Sequence, residues 1–321
     1  MRLLLLFVAM ALAAACQGGQ GDERDRAEAG RAAPTTAEPT TTATTVPAGP
    51  TVTVAAAGDI ACEPGRPVTP TRCRMMRTSD LLVGRDLDAV LTLGDNQYQD
   101  GTLEKFRRSY DASWGRVKSI TRPSPGNHEY GGGSAPGYFA YFGAAAGPPG
   151  KGWYSFDLGA WHLVALNSNC GAVGCGPGSE QHRWLVADLA ASPARCTLAY
   201  WHHPRFSSGI HGENLAVGPF WDALHAAGAE IVLNGHDHHY ERFVPLTPAA
   251  AIDRERGIRQ FVVGTGGHSL YPAPFGLPGS ERRNSRTYGV LVLTLRPDGY
   301  EARFVPEAGE EFTDSVTGRC H

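Results

Sequence analysis

The side chains able to hold a metal ion or move a proton gather in five short groups along this 321-residue chain. "AAGDIA" carries Asp59, "TLGDNQY" carries Asp95 and Tyr98, and "SPGNHEY" carries Asn127 and His128. "LAYWHHPRF" supplies His202 and His203, and "NGHDHHYE" supplies His236, Asp237, His238 and His239. Carboxylate, amide and imidazole in this mixture suit hard to borderline divalent or trivalent ions, not a soft thiolate site. Glycine stands directly before Asp59, Asp95, Asn127 and His236, which fits tight turns that bring backbone close to a shared centre. In extended backbone, residues two apart point the same way. His236 and His238 can therefore face two neighbouring ions, while Asp237 and His239 point elsewhere. Taken singly, the aspartates read as caps or turn formers; it is their combination that points to a metal site.

Such residues have to be delivered by the ends of regular elements. "TVTVAAAG" and "LDAVLTLG" read as buried strands that stop at Gly58-Asp59 and Gly94-Asp95. Leu103–Trp114 spaces its apolar residues helically. "WYSFDLGAWHLVALNS" resembles a hairpin turning at Gly159-Ala160. Ser179–Ser192 opens on a serine cap and reads as a helix, as does the segment around Phe220–Ala227. "CTLAYWH" and "AEIVLNGH" are strands on either side of that second helix, and "IRQFVVGTGG", "TYGVLVLTL" and "YEARFVP" complete the set. Strands mixed with helices and lacking an internal repeat imply an α/β domain built on packed sheets. The polar groups fall mostly beyond the C-terminal ends of strands, where α/β folds place ligands.

A hydrophobic content of 42% supports a substantial core, and a formal charge of −3 shows neither the excess of base expected for nucleic acid nor a strongly acidic character. "MRLLLLFVAMALAAAC" combines Arg2, an apolar run over Leu3–Leu12 and small residues before Cys16. This reads as a secretory signal over residues 1–16, its run too short for an ordinary membrane span. Cys16 resembles the lipidated cysteine of a bacterial lipoprotein. The expected location is the outer face of the cell membrane, held by that lipid, with a freely secreted form as the alternative. Residues 17–50 are Thr/Ala/Pro-rich and read as a disordered tether, leaving 51–321 as the folded domain. The six cysteines beyond Cys16 form an even set suited to an oxidising compartment. Local spacing suggests Cys62–Cys73, Cys170–Cys175 and Cys196–Cys320. A cysteine-zinc site is the competing reading, and there is no CxxC pair to support it.

The ordered motifs GD, GDxxY, GNHE, HxP and GHxH resemble those of the calcineurin-like metallophosphoesterases. Tyr98 and the "GHDHHYER" tail make the chain similar to purple acid phosphatases, over Ala55 to about Arg242. The resemblance implies a four-layer αββα sandwich of two mixed β-sheets flanked by helices. It places Asp59, Tyr98 and His238 around a first metal and Asn127, His202 and His236 around a second. Asp95 would bridge the two through its pair of carboxylate oxygens. Because a phenol, with its pKa near ~10, yields a phenolate only to a strongly Lewis-acidic ion, Fe(III) is implied at the Tyr98 site. Fe(II), Zn(II) or Mn(II) is implied at the other, while Tyr98 as a merely packed aromatic would allow two divalent ions. The implied activity is phosphate-monoester hydrolysis by metal-hydroxide attack on phosphorus. His128 would assist the leaving group and His211 would bind substrate, with His203 and His239 left as supporting residues. Phosphodiester or nucleotide hydrolysis on the same metals, and metal-dependent phosphate binding without turnover, are the alternatives. One departure is Ala61, where the family usually has glycine; alanine fits only if φ there is negative.

Overall fold

Strands that are apolar on both faces build the centre of the molecule. In the computed structural model, which describes residues 49–321, they form two sheets. The expected leader over 1–16 and nearly all of the 17–50 tether lie outside the described residues. The first sheet runs, edge to edge, β13 (Asp314–Arg319), β12 (Gly299–Pro306), β11 (Gly289–Arg296), β1 (Val52–Ala57), β2 (Ala89–Leu93) and β3 (Thr121–Ser124). The second runs β10 (Ser280–Asn284), β8 (Tyr240–Phe243), β9 (Arg259–Val263), β7 (Ile231–Asn234), β6 (Cys196–Tyr200), β5 (Trp161–Ala165) and β4 (Tyr154–Leu158). Both sheets are mixed: β1, β2 and β3 are mutually parallel, as are β5, β6, β7 and β9.

Alternation along single strands shows why these segments are continuous apolar runs. Leu163, Leu198, Leu233 and Phe261 join the core shared with the first sheet, among them Val54, Leu91 and Leu293. Their neighbours Val164, Ala199, Val232 and Val262 face the other way. There they meet Leu185 of α5 (Glu180–Ala191) and Phe220, Trp221 and Leu224 of α6 (Gly218–Ala226), with Cys170 and Val173 of the short α4 (Cys170–Val173) packed alongside. A strand covered on both faces leaves few positions for a polar residue, and one that is present, Gln260 of β9, is buried with its side chain bonded to the Phe206 backbone. Across the first sheet lie α1 (Met75–Asp80), α2 (Leu103–Lys105) and α3 (Pro136–Phe142), with Phe106, Tyr110, Trp114, Tyr138 and Phe142 completing that core. The expected four-layer αββα sandwich is therefore present.

The hairpin turning at Gly159-Ala160 forms as β4–β5, and Ser179 caps α5 by accepting the His182 amide at 3.2 Å. The helix expected over Leu103–Trp114 is interrupted. After α2 the chain opens into a wider turn over Phe106–Tyr110, because the Gln97 side chain accepts the Tyr110 amide at 3.1 Å and enters the helical ladder. Cys62–Cys73, Cys170–Cys175 and Cys196–Cys320 are all bonded in the pairs expected from spacing. Among the described residues no helix is long and apolar enough to cross a membrane.

Candidate metal centre

The parallel strands of the two sheets end side by side, and the loops leaving them are stitched together by backbone. Asp59, Ile60 and Ala61 donate their amides to the carbonyls of Gly94, Asp95 and Asn96 at 2.9–3.1 Å, and Tyr98 returns one to Ala61. Gly235 donates to His202, and His268 donates to Asp59. Three candidate ligands occupy left-handed backbone: Asp59 at φ 63°, Asp95 at φ 47° and His236 at φ 71°. This region disfavours residues with a side chain, so the surrounding loops hold what local preference would reject. Ala61 is not among the left-handed residues and sits bridged to Gln97, so alanine fits where the family usually has glycine. Two of the preceding glycines are required by contact: a Cβ on Gly126 would lie 2.1 Å from Asp95 Oδ1, and one on Gly94 would lie 2.6 Å from the His202 ring.

Two groups of ligand atoms result. In the first, Tyr98 Oη lies 2.9 Å from Asp59 Oδ1, 2.9 Å from His238 Nε2 and 3.0 Å from Asp95 Oδ2. In the second, His202 Nε2 lies 3.0 Å from Asn127 Oδ1, 3.2 Å from His236 Nδ1 and 3.2 Å from Asp95 Oδ2. All seven expected ligands are thus brought together, four from loops of the first sheet and three from loops of the second, with Asp95 and Tyr98 sharing one loop. Asp95 meets both groups through the single oxygen Oδ2, since Oδ1 accepts the His128 amide at 2.9 Å. From sequence, both oxygens of this carboxylate are expected to serve the site, whereas here Oδ2 is the one that lies near both groups. The account of the His-x-His element also changes. Residues 235–239 form a bent turn rather than extended strand, and the left-handed His236 is what swings its ring away from His238.

The donor chemistry tests whether a cation fits. His202 Nδ1 donates to the Leu93 carbonyl at 2.8 Å, so in the neutral ring Nε2 is a lone pair. That lone pair faces a carboxylate, an amide oxygen and another imidazole nitrogen, all acceptors in this arrangement. Burial opposes a charge on His202, yet the adjacent Asp95 carboxylate outweighs it and holds the imidazole up at about 9. Burial and the neighbouring His202 and His203 push His236 far down, keeping it neutral. Burial, with Asp59 and Asp95 beside it, holds the Tyr98 phenol well above its ordinary range. Buried acceptors without a counter-charge are costly; a proton on His202 Nε2 answers that need in part, and cations bound here would take its place.

Further residues surround the two groups of ligands. Asp237, fully buried, accepts the His211 amide at 3.1 Å and the Ser207 hydroxyl, which brings the His211 ring to 4.5 Å from that of His236. His239 turns away to Glu241 at 3.1 Å. His128 gives Nδ1 to the Gln99 carbonyl at 2.5 Å and leaves Nε2 3.8 Å from Asp95 Oδ2. His203 stands nearer than a packing role requires: its ring lies 4.5 Å from His236, oriented by Ser168 Oγ at 2.8 Å. Three participants went unassigned from sequence. Glu129 accepts the amides of Gln97 and Gly126 at 3.0 and 2.7 Å, clamping two ligand loops, and burial near Asp95 raises its carboxyl to about 7. His268 stacks on Tyr98 at 3.6 Å and Tyr271 on His238 at 4.0 Å. A glutamate inside a motif is a legible signal, whereas stacking from a distant loop has none.

Residues 53–240 match the calcineurin-like phosphoesterase family. The chain belongs to that family. Among its relatives, purple acid phosphatase 21 of Arabidopsis thaliana is 30% identical over 191 residues, covering 53% of this chain and 42% of that protein. An uncharacterized protein of Mycobacterium tuberculosis is 30% identical over 196 residues, covering 47% of this chain and 37% of its own length. The matched segment is therefore less than half of either relative. The structure of purple acid phosphatase PPD1 from yellow lupin seeds shares the calcineurin-like fold, with a TM-score of 0.69 at 20% identity over 84% of this chain and 54% of that one.

Proposed function

We propose that this chain is an exported, two-metal phosphatase that hydrolyses phosphate monoesters. The observation that carries the reading is the gathering of Asp59 and His238 about Tyr98 and of Asn127 and His236 about His202, with Asp95 Oδ2 lying 3.0 Å from Tyr98 Oη and 3.2 Å from His202 Nε2. Asp59, Tyr98 and His238 would hold Fe(III), and Asn127, His202 and His236 would hold Fe(II), Zn(II) or Mn(II). Two bound ions would supply Lewis acidity at the phosphoryl oxygens and lower the pKa of a water nucleophile. The chain's own groups do the rest. His128, with Nδ1 fixed on Gln99, has one nitrogen free at the edge of the centre and can give a proton to the leaving alkoxide. His211, positioned through Asp237, can donate to a non-bridging phosphoryl oxygen. Buried Glu129 holds the Asp95 and Asn127 loops in register.

The compartment reading rests on residues 1–16 as leader, Cys16 as the lipid-bearing residue and 17–50 as tether, and three disulfides suit it. Replacing Cys16 by alanine should move the protein from the membrane fraction to the medium. For the chemistry, purified protein should bind about two metals per chain, absorb visible light through an iron–phenolate pair, and turn over p-nitrophenyl phosphate. Two zinc ions with no visible band would overturn the iron assignment. Preference for bis-p-nitrophenyl phosphate would move the reading to a diesterase, and binding of phosphate without turnover of any ester would make it a binding protein.

A further inference from the structure

A cavity of about 200 Å³ adjoins the centre, walled in part by Arg66, Arg72, Gln99, His268 and Tyr271. Three of these walls also touch candidate site residues. The Gln99 carbonyl holds His128, His268 lies flat on Tyr98, and Tyr271 lies flat on His238 and 5.8 Å from the His211 ring. Complete small-molecule sites enclose roughly 300–1,000 Å³. This space is smaller, and suits one appendage of a molecule whose phosphate sits at the metals.

The charge of the wall says what kind of appendage. Arg66 and Arg72 both lie on the loop closed by the Cys62–Cys73 bond. Glu63 in the same wall is already shared between Lys105 at 2.9 Å and Arg66 at 3.4 Å. Arg72 forms no ion pair with a carboxylate among the described residues, and its side chain is exposed beside the cavity. Its backbone, by contrast, is fixed. Arg72 bridges to Ser269, Cys73 donates to the His268 carbonyl at 2.9 Å, and Arg74 donates to Gly267 at 2.7 Å while its guanidinium grips Glu307 at 2.7 Å. An unpaired guanidinium on an anchored, cross-linked loop is suited to bidentate recognition of a carboxylate or phosphate.

We infer that this pocket receives a second anionic group of the substrate, so that the preferred monoesters carry another phosphate or a carboxylate a few atoms from the scissile ester. The inference rests on the phosphatase reading above and narrows its substrate class. It is tested with the full metal-loaded protein on propyl phosphate, the phosphate ester of 3-hydroxypropionate, and propanediol bisphosphate, with p-nitrophenyl phosphate as a common reference. Wild-type kcat/KM should be at least about tenfold higher for an ester with a second anion than for propyl phosphate, the scale of a charge-assisted hydrogen bond. That exceeds the twofold statistical advantage of the bisphosphate. A gain with both anions supports a general anion pocket, and a gain with the bisphosphate alone assigns it to phosphate. In Arg72→Gln the ratio should collapse toward one, and in Arg72→Glu it should invert. Equal kcat/KM for the three alkyl esters in the wild type, or an Arg72→Gln loss shared equally by all of them, overturns the pocket while leaving the phosphatase reading intact. Failure to turn over any ester, p-nitrophenyl phosphate included, overturns both.

Discussion

Replacing Cys196 and Cys320 together by alanine removes a cross-link between positions 124 apart. In the chain-entropy account, a loop of that length restricts the unfolded chain by about 4.9 kcal/mol at 25 °C. The same relation assigns about 2.8 kcal/mol to Cys62–Cys73, which are 11 apart, and about 2.1 kcal/mol to Cys170–Cys175, which are 5 apart. Unfolding a domain of roughly 270 residues carries an entropy of about 0.57 kcal/mol/K. The three losses then become falls in Tm of about 9, 5 and 4 °C. Calorimetry of the three double-alanine variants, all saturated with the same metals, reads these shifts directly. Cys62, Cys73, Cys196 and Cys320 are all buried, so the packing lost with those two pairs is similar; Cys170 is half-buried, so its pair loses less and the order set by loop length is kept. If C196A/C320A melts no lower than C170A/C175A, the loop-length reasoning is wrong.

Gly126→Ala forces a Cβ to within 2.1 Å of Asp95 Oδ1; metal content measured by mass spectrometry should drop and kcat should fall at least about 100-fold. His202→Ala should lose the second metal and nearly all activity, whereas His203→Ala should keep both metals and cost about tenfold, as outer hydrogen-bonding partners do; equal metal loss from both would reverse their roles. Burial raises the Glu230 carboxyl from 4.5 to about 7, against the amides it accepts from Thr197 and His321. A carboxyl raised in the folded state adds stability that is full below its unfolded pKa and lost as pH rises through the folded one. Wild-type stability should therefore fall by up to ~3 kcal/mol between about pH 4.5 and 7 from this group. Glu230→Gln should flatten that fall in urea titrations, and an unchanged pH dependence would remove Glu230 as its source.

The interior strands were legible because burial on both faces leaves them as unbroken apolar runs, and α5 because its serine cap is local. β3, β8, β10 and β13 were missed for the opposite reason. β10 reads "SERRN" and β13 "DSVTGR", edge strands whose charges discourage further pairing and erase the hydrophobic signal. β3 holds Pro123 in a sequence that no propensity would name a strand. Glycine followed by a polar residue marked the ligand loops, because only close backbone approach demands that pattern four times. What could not be read was anything produced by the meeting of distant loops. The stacking of His268 on Tyr98 and the Arg72 pocket are of this kind, as is the choice of a single Asp95 oxygen.

The ligand set draws on both sheets, and so does the longest disulfide. Asp59, Asp95 and Asn127 follow strands of one sheet, and His202, His236 and His238 leave strands of the other. At the far end of β6, Cys196 is tied to Cys320, just past β13 of the opposite sheet. The sandwich is thus closed like a book with a sewn spine and a removable clasp. Emptying the metal centre would free the leaves at the fore-edge only, so the apo protein should breathe there, near the substrate, while the spine keeps the pages in order for the next ion.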